Sequence, residues 1–213
     1  MIGPRTALAA LALAAALPAA AAPLPVELGA RGERVIASMD LAAAFPATLA
    51  RELGNGLTNV VAVYVVVLPA GSRQPAMLYG RVIEILFDVW EETYQVTVRD
   101  PYFPQGVQVV LRDFPALRRF LSDARDVDVG PRGILPGGPF FVEARVEVNP
   151  VSKEQLQRTR EFIANPAAGT RAQGGSRSVL GAMASFLLRE PDPGSDVTVL
   201  RSRPFSPGEV IRR

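Results

Sequence analysis

The run Phe-Asp-Val-Trp-Glu-Glu-Thr-Tyr-Gln-Val-Thr-Val, residues 87–98, is the part of the chain that looks most like chemistry. Asp88, Glu91 and Glu92 stand around Trp90 and Tyr94. Carboxylates beside aromatic rings are the material of a glycoside hydrolase cleft, where two acids about 5–9 Å apart flank the scissile bond. Adjacent residues of a strand point to opposite faces, so Glu91 and Glu92 cannot easily form that pair. A second acid would come from elsewhere, with Asp100 and Asp113 as candidates, and no spacing selects either. The hydrophobic alternation gives another reading. Ile83, Ile85, Phe87 and Val89 are odd-numbered, whereas Trp90, Tyr94, Val96 and Val98 are even-numbered. A strand changes face only through an extra residue or a tight turn. The pattern therefore predicts a bulge or short hairpin near 88–92, with Glu91 and Glu92 in solvent and Trp90 buried where the face switches. In a third reading Trp90, Glu91 and Tyr94 contact a ligand or partner, because aromatic residues are favoured anchors. Those three are the binding candidates, and no residue is assigned a catalytic role.

The rest of the sequence closes most chemistries. Its 213 residues include no His and no Cys. Thiol nucleophiles, Ser-His-Asp triads, thiolate or imidazole zinc sites and the usual haem ligands are all excluded. A hard cation would need a loop of spaced Asp, Asn and Gly, and none is present. The Gly-Pro loop 130–139 lacks the Gly-Lys-Ser/Thr ending of a phosphate loop. No cofactor is expected. The formal charge is +2 and Lys153 is the only lysine. No basic stripe tracks a phosphate backbone, so nucleic acid is not an expected partner.

Residues 1–22 read as an export signal. Arg5 gives a positive start, Thr6–Leu17 is apolar, and small residues follow before Pro23. The expected location is the periplasm. Residues 23–213 then form one domain, held without disulfides.

Several elements can be placed around the central segment. Residues 34–41, 58–68, 77–89, 107–111, 140–150 and 196–205 read as strands. The run 58–68 is apolar at nearly every position, which predicts burial on both faces. In 140–150, Val142, Ala144, Val146 and Val148 alternate with Glu143, Arg145 and Glu147. Helices are expected over 45–57, over 113–124 with Asp113 as N-cap, and over 152–165, where Ser152 and Gln155 have capping-box spacing. Residues 166–177 have the composition of a flexible linker, and 178–190 that of an amphipathic helix. The predicted fold is mainly β with peripheral helices, an antiparallel β-sandwich-like α+β domain.

The helix ending in Leu-Ala-Arg-Glu-Leu-Gly-Asn-Gly-Leu, the valine-rich strand, the hairpin and the segment bearing Phe87, Asp88, Val89, Tyr94 and Val96 resemble a family of exported bacterial proteins of unknown function. The resemblance spans about residues 34–163. It implies export and a β-rich fold, and it assigns no activity. Together these features predict a non-enzymatic envelope domain that binds or scaffolds an envelope protein. The alternatives are an envelope enzyme acting on glycan through acidic residues, and a membrane-surface binder using helix 178–190.

Overall fold

The computed structural model describes residues 23–150, 157, 160, 161, 163, 164 and 196–212. Two sheets pack face to face. The first has the order β10-β1-β2-β7 and the second β6-β5-β4-β3-β8-β9. The strands are β1 (Val26–Arg31), β2 (Arg34–Asp40), β3 (Thr58–Pro69), β4 (Met77–Asp88) and β5 (Thr93–Arg99). They continue as β6 (Val107–Leu111), β7 (Asp123–Pro131), β8 (Phe140–Val148), β9 (Val197–Arg201) and β10 (Ile211–Arg212). Every pairing is antiparallel except β1 with β10. The predicted β-rich sandwich is the observed architecture.

The core fills the space between the sheets. Val35, Ala37 and Met39 of β2 and Val127 and Val129 of β7 meet Val61, Val63, Val65 and Val67 of β3, with Ile83 and Ile85 of β4. β3 is buried on both faces, as its composition predicts: Val61 through Leu68 are all 4% exposed or less. Its even-numbered residues Ala62, Tyr64, Val66 and Leu68 pack on the outer face with Leu78. Ile163 is buried, and Arg160 pairs with Glu84 on that same outer face at 2.6 Å.

That outer face is also charged. Glu143, Arg145 and Glu147, the polar half of the β8 alternation, are buried rather than solvated. Arg145 Nε lies 2.7 Å from Glu147 Oε1, Arg201 donates to Glu143 at 2.6 Å, and Arg99 pairs with Glu84 at 2.7 Å. Pairing is what makes burial tolerable, since an uncompensated charge in a low-dielectric interior is strongly unfavourable.

Several boundaries differ from the sequence reading. The helix expected over 45–57 is only α1 (Leu49–Leu53). Before it the chain makes a 3-10 turn at Ala42–Ala44 and single turns closed by Leu49 N to Pro46 O and Ala50 N to Ala47 O. Phe45 and Leu53 are both buried there, so packing rather than helix propensity sets the path. The second helix, α2 (Phe114–Ser122), ends early because Asp123 and Ala124 begin β7. Asp113 is its N-cap and accepts from Ala116 N at 2.8 Å, as expected. Three strands, β1, β7 and β10, match no expected element. Residues 157, 160, 161, 163 and 164 are helical, within the helix expected at 152–165. The export signal 1–22, the linker 166–177 and the helix 178–190 lie outside the described residues. Among the described residues no helix is long and apolar enough to cross a membrane.

Candidate binding surface

The segment 87–98 is a hairpin. Phe87 pairs with Tyr94, Ile85 with Val96 and Ile83 with Val98, so odd positions of β4 and even positions of β5 share the core face. The switch of parity is therefore the hairpin itself. Residues 89–92 form the turn. Asp88 Oδ1 accepts from the backbone N–H of Trp90 at 3.0 Å and of Glu91 at 3.1 Å, and Asp88 Oδ2 accepts from Gln95 Nε2 at 3.2 Å. A carboxylate that binds the N–H groups two and three residues on replaces the missing strand bonds. Glu92 completes the turn in the left-handed region, at φ 51.

This turn separates the three binding candidates. Trp90 is 91% exposed and Glu91 is also exposed. The burial expected for Trp90 is thus corrected: alternation ends at Asp88, and residue 90 belongs to neither strand. Tyr94 is buried in the core and tilts against Phe87, with ring centroids 4.8 Å apart. Burial, and secondarily the Asp113 charge, push its hydroxyl pKa upward. Trp90 and Glu91 therefore sit together at the tip, and Tyr94 belongs to the scaffold beneath them.

The tip has apolar neighbours that the sequence reading did not connect. Val89 is 56% exposed and Leu57, which precedes β3, is 67% exposed. The loop carrying Leu57 abuts the turn: a Cβ on Gly56, where φ is +76, would stand 3.3 Å from Val89 Cγ1. Leu57, Val89 and Trp90 thus share one end of the six-stranded sheet. Their exposure follows from tertiary packing of two loops that lie far apart in sequence.

A second aspartate turn lies at the opposite end of β5. Asp100 Oδ1 accepts from Tyr102 N and Phe103 N, each at 2.9 Å. Its other oxygen accepts from the Tyr79 hydroxyl at 3.2 Å. Tyr102 donates to Asp128, which also accepts from Arg34 Nε at 2.7 Å. This chain of contacts ties the loop after β5 to both sheets. Burial pushes the Tyr79 pKa well up, Arg81 opposes the shift and Asp100 reinforces it. Tyr102 is raised by burial and by its bond to Asp128, against Arg34. Both phenols are therefore protonated donors at neutral pH and do not serve as bases.

The two acids considered as catalytic partners are each engaged with backbone. Asp100 closes its turn and Asp113 caps α2. An open cleft of about 1390 Å³ lies between the start of β1, the end of β2 and α2. Three of its acids have structural partners: Asp40 accepts from Ala42 N, Asp123 pairs with Arg125 and Asp126 with Arg31. Among the described residues no group of three Asp or Glu side chains is placed to hold a metal ion. No family model, curated protein or solved structure matches the chain.

Proposed function

We propose that this protein is a non-enzymatic binding domain of the cell envelope that docks a protein partner through the hairpin end of its six-stranded sheet. The observation that carries this reading is Trp90, 91% exposed on a turn whose backbone Asp88 fixes. A large aromatic side chain left in water is unfavourable for an isolated domain and favourable for an interface anchor. A turn fixed beforehand loses less conformational freedom on binding than a mobile loop would. Leu57 and Val89 extend the apolar area around the ring. Glu91 and Glu92 beside it favour a partner bearing basic residues and oppose docking on an anionic lipid surface. Trp90 and Val89 stand exposed on a turn, whereas small-molecule sites are concave, so a macromolecule suits the tip better than a free sugar. The envelope location rests on the sequence of residues 1–22.

The test compares the wild type with Trp90→Ala as baits in envelope extract, after melts have shown equal folding. A protein retained by the wild type and depleted roughly tenfold or more by the variant is the expected result for a central anchor. Equal recovery of every bound protein by both baits would remove the hairpin end from the binding surface.

A further inference from the structure

Among the described residues the two sheets have four edges, and three are guarded. β10 spans only Ile211–Arg212. β7 carries Asp123, Arg125, Asp126 and Asp128, ends in Pro131, and has two register shifts against β2. β9 contains Arg201, whose carbonyl accepts from Leu24 N at 2.8 Å. Short length, charge, proline, bulges and cover are the usual means by which natural sheets block edge pairing.

Among the described residues, β6 shows no such guard. Its sequence is Val-Gln-Val-Val-Leu, without charge, proline or glycine. Its register with β5 is unbroken from Val98↔Val107 to Tyr94↔Leu111, so no bulge turns the edge away. Among the described residues, no backbone group outside β5 bonds to it. Val107 is 42% and Val110 66% exposed, and Phe103, just before the strand, is 56% exposed.

We infer that β6 pairs antiparallel with β6 of a second copy of this chain, joining two six-stranded sheets across a twofold axis. Edge pairing through a twofold sets a strand against its own reversed sequence, so a charge near its centre would meet its like or lie diagonal to it. β6 is neutral and meets no such penalty. A pairing centred on Val109 sets Val107 opposite Leu111 and Gln108 opposite Val110, which makes the two Val110 side chains diagonal neighbours on one face. Five paired residues alone are small against the roughly 800 Å² per partner of a standard interface. Phe103, just before the strand and 56% exposed, supplies further apolar area. The inference does not depend on Trp90.

Sedimentation equilibrium of the purified protein tests it, with Val110→Lys as the edge-blocking variant. Val110 is exposed, and Val110→Lys leaves the strand backbone able to pair with β5. The expected result is a wild-type dimer and a twofold fall in mass for Val110→Lys with an unchanged melt. Hydrogen exchange should show amides in 107–111 that gain protection as wild-type concentration rises. A wild type that stays monomeric, a Val110→Lys variant that stays dimeric while folded, or β6 amides indifferent to concentration would each overturn the inference. Protection of β6 only on adding envelope proteins would assign the edge to another chain and overturn it as well.

Discussion

Asp88 and Trp90 exchange the roles that their residue types suggest. The carboxylate, which looks available for chemistry, has one oxygen engaged by the turn and the other by Gln95 of β5. The indole, which looks like core, stands in solvent. The spacing of apolar residues locates the break in register but not the side on which residue 90 falls, because a bulge and a four-residue hairpin leave the same parity change in the sequence. Two expected outcomes follow from the burial of each ring. Trp90→Ala should change stability by less than about 0.5 kcal/mol in denaturant melts, as exposed substitutions usually do. Tyr94→Ala should cost about 3–5 kcal/mol, as truncation of a core aromatic does. Reversal of that order would mean that the tip folds back onto the domain. Because Trp90 is the only tryptophan, its native emission should be red and open to collisional quenching.

At the scale of the element, the hairpin depends on two backbone features. Asp88→Ala removes the acceptor for two turn N–H groups and should cost about 1–2 kcal/mol, measured by urea unfolding. Glu92 holds φ 51, a region that disfavours side chains with a Cβ. Glu92→Gly should therefore raise stability by up to about 1 kcal/mol, with the entropy of the unfolded glycine opposing part of the gain. A destabilised Glu92→Gly variant would show that the glutamate side chain makes a contact of its own. The legibility of the other strands has a physical cause. β3 and β8 are readable because burial on one or both faces imposes a period of two or a continuous apolar run. β7 is not readable. Ala124 pairs with Met39 and Val127 with Ala37, so two residues, Arg125 and Asp126, oppose the single Ser38. Asp126 takes φ 52 there and its N–H donates to the Ser38 hydroxyl at 3.1 Å. The bulge shifts the apolar positions from even to odd, and the alternation that would mark a strand disappears. β1 is hidden differently: Leu28, Gly29 and Ala30 are buried in succession, with no alternation to detect.

In the whole molecule, burial of charge on the outer face of the six-stranded sheet is the feature that sequence alternation alone does not separate from a solvated face. Glu147→Ala should lower stability in denaturant melts, because it removes the carboxylate that lies 2.7 Å from the buried Arg145 guanidinium. Glu84 adds a pH dependence. Burial pushes its pKa up, but the hydrogen bond and charge of Arg99, joined by Arg160, outweigh burial and hold it below the ordinary value. A carboxylate with a lowered folded pKa stabilises the fold above its unfolded value, about 4.3, and that stabilisation is lost as pH falls through the folded value. The stability difference between wild type and Glu84→Gln should therefore be largest near neutral pH and shrink on acidification below about pH 4. A difference that stays constant with pH would mean that the ion pairs with Arg99 and Arg160 contribute nothing. Docking through the hairpin end is the central claim, and site-specific photocrosslinking in the intact envelope tests it most directly. A photoreactive amino acid is placed at position 90 and, as a control, at position 134, where the native Ile134 is 48% exposed on the loop after β7. The expected result is a discrete adduct with a protein other than this chain from position 90 and none from position 134. No adduct from position 90, or the same adducts from both positions, would contradict the account.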